Sequence, residues 1–310
     1  MSRRDAARLL ARSAAGLILT QAALAADEKM AAGKMTQLKR AIPSSGEKLP
    51  VIGLGTWQVF DVSASPAERQ PLEEVLALFV KLGGRVVDSS PMYGRAEQVI
   101  GDIATKLDLQ RALFLATKVW TSGKEAGIAS MEKSAATLQT QKLDLMQVHN
   151  LVDARTHLAT LREWKEQGRV RYFGITHYTS SAFGEVARLL RSEKFDFLQI
   201  NYSLLERDAE KEILPLAQER GVAVLINRPF GGGNLFARVR EKPLPPWVAE
   251  FDCHSWAQFL LKWIVAHPAV TCAIPATSKA RHMEDNLQGG VGRLPDSKMR
   301  QRMVELVETL

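Results

Sequence analysis

Residues 84–94 read G-R-V-V-D-S-S-P-M-Y-G, a β-branched run that ends on an acid and is followed by a polar turn holding a tyrosine. Arg85, Val86 and Val87 have the character of the last residues of a buried strand, which places Asp88 where that strand emerges into a loop. A carboxylate at such a point is costly to bury alone. Two later strand-like runs end on groups able to accompany it, Lys118 in L-F-L-A-T-K-V-W and His149 in L-D-L-M-Q-V-H-N. If these strands are neighbours, Asp88, Lys118, His149 and Tyr93 converge at one end of a parallel sheet. Taken singly, each has a structural reading: a turn acid, a snorkelling amine, a satisfied core histidine, a packed ring. Together and in this order they predict an acid-base site.

Outward from this stretch the chain keeps a regular beat. Asp88, Lys118, His149, Thr176 and Gln199 follow one another at 30, 31, 27 and 23 residues, each the length of one βα unit. The apolar runs predict eight strands, at 51–57, 85–88, 113–119, 143–149, 172–176, 197–201, 222–227 and 270–275. Amphipathic stretches between them predict helices at 71–82, 96–107, 130–139, 154–167, 181–191, 209–220 and 255–266. Such a beat fits a closed α/β barrel better than an open sheet. No G-x-G-x-x-G follows the first strand, so a Rossmann fold lacks its phosphate loop.

The four residues Asp88, Tyr93, Lys118 and His149 carry a resemblance to the aldo-keto reductase superfamily, extending from about Leu49 to Asn286. The resemblance implies a (β/α)8 TIM barrel with an N-terminal β-hairpin, here expected around Ser44-Ser45-Gly46, and a long loop after strand 7. That loop, from Phe230 to about Asp252, carries glycines and prolines and is expected to act as a lid. Gly53 and Gly55 in the first strand suggest close backbone approach. The implied activity is NAD(P)H-dependent reduction of aldehydes or ketones. Hydride transfer to a carbonyl leaves an alkoxide that needs a proton. The resemblance gives Tyr93 as its donor, Lys118 as the cation that lowers the phenol's pKa, Asp88 as the partner of Lys118, and His149 as the group that orients the carbonyl.

The same resemblance implies the cofactor residues. Thr176, His177 and Gln199 stand where the family holds the nicotinamide amide, with histidine in place of the usual asparagine. Asn227 stands where an aromatic residue often stacks on the nicotinamide, and Arg228, Pro229, Phe230 and Gly231 continue that segment. Ile274, Pro275, Ala276, Thr277, Lys279, His282, Asp285 and Asn286 match the nucleotide end, where helix-start amides can receive phosphate. The usual 2′-phosphate cations are absent at Ala276 and His282, and Lys279 or Arg281 could substitute, so NADP(H) is favoured slightly over NAD(H). Trp57, Trp120 and Asn150 stand at substrate-pocket positions and suit a small-molecule carbonyl substrate. A cofactor-binding sensor or accessory subunit with slow or no turnover is the alternative, as in potassium-channel β-subunits that resemble these enzymes.

With 310 residues and 46% hydrophobic content, the chain can bury one full core. The formal charge of +7 owes much to Arg3, Arg4, Arg8 and Arg12, and no Lys/Arg stripe argues for nucleic-acid binding. Cys253 and Cys272 offer no metal-ligand spacing, and Cys272 reads as a core residue. Residues 1–25 open on Ser2-Arg3-Arg4-Asp5, continue through a mildly apolar run and end on Ala23-Leu24-Ala25. This resembles a twin-arginine signal peptide, too short to span a membrane stably, and implies the twin-arginine export machinery as partner. Residues 26–310 are expected to form one barrel domain. The protein is expected to be monomeric and periplasmic, or cytoplasmic if the signal does not function.

Overall fold

The computed structural model of the chain describes residues 36–310; the export-signal reading of residues 1–25 lies outside them. A hairpin comes first, β1 (Lys39–Ala41) antiparallel to β2 (Lys48–Pro50), with Gly46 at φ 75° in the turn. Eight parallel strands follow: β3 (Leu54–Gly55), β4 (Val86–Asp88), β5 (Phe114–Val119), β6 (Leu143–His149), β7 (Val170–Thr176), β8 (Phe197–Asn201), β9 (Ala223–Asn227) and β10 (Val270–Ala273). Each pairs with its successor in chain order. The helices are α1 (Pro66–Lys81), α2 (Ala96–Lys106), α3 (Lys124–Thr137), α4 (Ala154–Glu166), α5 (Phe183–Ser192), α6 (Ile213–Glu219), α7 (Asn234–Arg238), α8 (Trp256–Val265), α9 (Ala280–Gln288) and α10 (Ser297–Glu308). The expected (β/α)8 barrel is the observed one.

The barrel closes between its first and last strands. Gly53 N–H donates to Ala273 O at 2.8 Å, Ala273 N–H to Val51 O at 2.9 Å and Gly55 N–H to Pro275 O at 3.0 Å. The glycines permit this approach. A Cβ on Gly53 would lie 2.8 Å from Val86 O, and one on Gly55 would lie 2.7 Å from Ile274 O. The same closeness shortens the regular ladder of β3 to two residues of the predicted 51–57.

Inside the barrel, Val86, Phe114, Leu145, Tyr172, Phe197, Ala223 and Leu225 pack with Ile42 and Leu49 of the hairpin. The hairpin therefore plugs the end where the strands begin. Tyr172 fastens it, its hydroxyl meeting Ser45 Oγ at 2.7 Å and Glu47 Oε2 at 2.9 Å.

Among the helix starts that differ from expectation, two do so for identifiable reasons. α1 begins at Pro66, and Pro71 sits inside it on the exposed side; the φ that proline imposes is helical, so the chain continues. α3 begins at Lys124 rather than Ser130 and contains Gly127, which reads as a breaker. A Cβ there would lie 2.3 Å from the His157 ring, so the glycine admits a close helix contact. The segment 230–252 is not an open loop either. It forms a 3-10 turn at Gly231–Gly233, then α7, then a 3-10 helix at Pro246–Phe251, pinned by buried Leu235, Val248 and Phe251. Among the described residues no helix is long and apolar enough to cross a membrane.

Candidate active site

Strand register brings the four candidate residues to one mouth. Asp88 pairs with Ala116, Lys118 with Gln147, His149 with Thr176 and Thr176 with Gln199 across β4 to β8. Lys118 is fully buried, and its Nζ donates to Asp88 Oδ2 at 2.6 Å and to Ser89 O at 2.7 Å. The other carboxylate oxygen, Asp88 Oδ1, accepts from Gln199 Nε2 at 2.8 Å and Gln147 Nε2 at 3.2 Å. Thr56 holds the Asp88 backbone, donating from Oγ1 to Asp88 O at 2.9 Å. Burial works against the Lys118 ammonium, but Asp88 and then Tyr93 outweigh it, and the pKa lies above its ordinary value. The lysine stays charged.

Lys118 Nζ lies 4.9 Å from the centre of the Tyr93 ring. Burial pushes the Tyr93 phenol up; Lys118 pulls it down and Asp88 pushes it up again, leaving it above its ordinary value. The cation acts in the expected direction, yet the net lowering expected from it is corrected by burial.

His149 stands edge-on to Tyr93, with ring centres 5.9 Å apart at 83°. Burial and the positive charge of Lys118 hold its pKa down at about 3, so the ring is neutral near pH 7. Its ring is met by Ser90, a fully buried residue that the sequence reading did not single out. Ser90 Oγ accepts from Met92 N–H at 3.4 Å and lies 3.1 Å from His149 Nδ1. The hydroxyl can donate to Nδ1 or accept from it, according to which ring nitrogen carries the proton. Ser90, Gln147 and Thr56 are the polar residues of the site that sequence reasoning missed. Their uncharged side chains carry no signal until the register is known.

The remaining candidates fall into three groups. Thr176, His177, Gln199, Asn227 and Arg228 line the ends of β7 to β9. Thr176 Oγ1 donates to Gln199 Oε1 at 3.2 Å, Asn227 Nδ2 donates to His177 O at 3.1 Å, and burial holds the His177 pKa below its ordinary value. Arg228 takes a left-handed φ of 50° and leads into buried Pro229, half-buried Phe230 and buried Gly231, with the Phe230 and Phe236 ring centres 4.7 Å apart. Ile274 joins the core cluster, and Pro275 and Ala276 close the barrel. Thr277 Oγ1 accepts from Lys279 N–H at 3.2 Å just before α9, where Lys279, Arg281 and His282 are exposed. Asp285 is held by Gln258 Nε2 at 2.7 Å, and Asn286 is buried. Trp57 and Trp120 are each 48% exposed at the mouth, Trp120 standing 6.3 Å from the His149 ring. Asn150, at φ 52°, opens a left-handed run with Leu151 beyond β6.

A nicotinamide dinucleotide fits this mouth. The buried atoms Asn150 Oδ1, Asn201 Oδ1, Asn227 Oδ1 and Arg228 Nε have no hydrogen-bond partner among the described residues, and all four lie at the carboxyl ends of strands. Buried polar atoms in native proteins are satisfied, so such a set marks ground prepared for a polar ligand. The exposed cations at the start of α9 suit the phosphate end of the same molecule.

Fold and site together define a barrel oxidoreductase with a buried Lys118–Asp88 pair beside Tyr93 and His149 at its mouth. The chain belongs to the Aldo/keto reductase family, whose profile matches residues 51–305. The methylglyoxal reductase YeaE of Escherichia coli (strain K12) is 28% identical over 256 residues, covering 80% of this chain and 88% of that protein. An aldo-keto reductase of Mycobacterium sp. (strain KMS) is 30% identical over 254 residues, covering 78% and 84%. Among solved structures, the holo form of an aldo-keto reductase from Bacillus halodurans superposes with a TM-score of 0.70 at 22% identity, covering 88% of this chain and 96% of that one. An aldo/keto reductase from Klebsiella pneumoniae in complex with NADP and acetate gives a TM-score of 0.68 at 24% identity, covering 84% and 93%.

Two expectations follow from His149. Its folded pKa, about 3, lies below the unfolded value of 6.5, so between those values the unfolded chain binds more protons and stability falls as pH drops. The loss reaches about 2 kcal/mol by pH 5. Urea unfolding at pH 7.5 and pH 5 should show it, and His149→Gln should remove most of that difference; an unchanged difference would contradict the assignment. Ser90→Ala removes the hydroxyl beside Nδ1 and should change the tautomer balance of His149, read as a change in the 15N chemical shifts of its ring. Unaltered shifts would show that Ser90 does not set it.

Proposed function

We propose that the protein reduces aldehydes or ketones to alcohols with NADPH, and that Tyr93 donates the proton. The observation that carries this reading is the Lys118 ammonium, held by Asp88 at 2.6 Å and standing 4.9 Å from the Tyr93 ring centre. When bound, the dinucleotide supplies a hydride to the carbonyl carbon. The chain supplies the rest. His149 Nε2–H orients the carbonyl oxygen toward Tyr93, whose hydroxyl proton passes to that oxygen as negative charge develops there. Lys118 stabilises the phenolate left behind, and this matters more because burial alone disfavours it. Asp88 keeps the ammonium in place and balances its charge.

The relatives' names agree with this chemistry. One is called a methylglyoxal reductase, and another, from Malus domestica, an NADP-dependent D-sorbitol-6-phosphate dehydrogenase. Exposed Lys279 and Arg281 support the preference for NADPH over NADH, since either can meet a 2′-phosphate. The basic opening Ser2-Arg3-Arg4-Asp5 supports export of the folded, cofactor-loaded enzyme to the periplasm by the twin-arginine route.

Tyr93→Phe should lower kcat on a panel of aldehydes and ketones by at least about a hundredfold, the scale of a lost general acid, while NADPH still binds. Wild-type rates would refute the donor role. Binding of NADPH by the wild type with no turnover on any carbonyl would instead favour a sensor. Arg3→Lys combined with Arg4→Lys should retain the protein in the cytoplasm, as fractionation and immunoblotting would show; undiminished periplasmic protein would sink the export reading.

A further inference from the structure

We infer that His157 is a positioning residue for the substrate side of the mouth: by holding the Thr121 carbonyl it fixes where Trp120 stands, and so how well a flat carbonyl compound is gripped beside His149. This rests on the carbonyl-reductase reading above and adds to it a residue that lies outside the mouth. His157 belongs to the start of α4 and has no exposed surface. Its Nε2 lies 2.7 Å from Thr121 O, and since a carbonyl only accepts, the ring proton is on Nε2. Nδ1 is buried with no hydrogen-bond partner among the described residues, so the ring is committed to this one contact. Gly127 makes room for it, since a Cβ there would lie 2.3 Å from His157 Cε1 and 2.6 Å from Nδ1. A glycine inside α3 and a half-satisfied imidazole in the core are both destabilising, and the contact they permit is to the turn after β5.

The same helix start holds that turn at a second point. Asp153, the N-cap residue of α4, makes no cap bond to its own helix. Its Oδ2 accepts from Gly123 N–H at 2.8 Å instead, and its Oδ1 accepts from Thr156 Oγ1 at 2.7 Å. Directly after Trp120, therefore, Thr121 is tied to α4 through its carbonyl and Gly123 through its N–H. The tie leads back to the site, because α4 follows the end of β6. Val152 N–H donates to His149 O at 3.1 Å, and His157 N–H donates to Asp153 O at 3.1 Å. His149 and His157 thus belong to one hydrogen-bonded segment that reaches across to the Trp120 turn. That brace sets the 6.3 Å separation and 58° angle between the Trp120 and His149 rings. With 48% of its surface exposed, Trp120 has little packing of its own to hold it there.

The test compares His157→Phe, which keeps a planar ring but has no donor, with His157→Gln, which restores an N–H at similar reach. Asp153→Ala removes the second anchor without entering the core. Steady-state kinetics with NADPH are read on benzaldehyde and on propanal, which share the reacting group and differ in the flat ring. His157→Phe should raise KM for benzaldehyde about fivefold, the scale of one net hydrogen bond, with kcat and the KM for propanal moving by less than about twofold. His157→Gln should bring the benzaldehyde KM back, and Asp153→Ala should raise it as His157→Phe does. An equal rise on both aldehydes, or on neither, overturns the inference. A second readout needs no turnover: 19F NMR of the chain labelled with 5-fluorotryptophan, the Trp120 signal being assigned by its loss in Trp120→Phe. That signal should shift or broaden in His157→Phe and Asp153→Ala and return in His157→Gln, the other tryptophan signals staying in place; an unmoved Trp120 signal overturns the inference. Should His157→Phe not fold, Asp153→Ala decides by the same two readouts. If the wild type reduces neither aldehyde, the carbonyl-reductase reading fails, while the 19F comparison still judges the brace on Trp120.

Discussion

A cation with no exposed surface is the constraint on which the rest of this structure depends. Desolvating an ammonium costs several kcal/mol unless a counter-charge and hydrogen bonds meet it. Lys118 meets both through Asp88 and the Ser89 carbonyl. The demand then passes on, because a buried carboxylate needs donors of its own. Gln147 and Gln199 supply them from β6 and β8. Four strands must therefore reach one another across an interior that an open sheet does not have. Barrel closure between β3 and β10 completes that enclosure, and it is possible because Gly53 and Gly55 put no side chain in the gap.

Much of this architecture was legible in the chain. Strand positions at Leu143–His149 and Phe197–Asn201 follow directly from apolar runs, because strands buried on both faces read as continuous hydrophobic stretches. Helix starts were less legible where tertiary contact overrides local preference. Gly127 looks like an interruption in α3 and becomes sensible beside the His157 ring, which is distant in sequence. Pro71 looks like a helix start because its ring disfavours interior positions, but an exposed carbonyl tolerates the missing hydrogen bond.

The site divides in the same way. Asp88, Tyr93, Lys118 and His149 were readable because ionisable groups at the ends of apolar strands are conspicuous. Ser90 and Gln147 were not, since a serine in a turn and a glutamine in a strand have ordinary explanations until a partner is in view. The direction of the Tyr93 shift was misjudged for a related reason: a neighbouring charge can be foreseen from strand spacing, whereas the depth of a side chain in the mouth comes from the closed barrel. The Phe230 to Asp252 segment carried turn-rich composition, and its short helices depend on Leu235, Val248 and Phe251 finding apolar ground.

The hairpin fills the strand-start end of the barrel through Ile42 and Leu49, so that end is packed core. Trp57 and Trp120 stand exposed at the opposite end, Trp120 beside the His149 ring. With the strand-start end filled, the Lys118–Asp88 pair is shielded from solvent on the side away from the mouth.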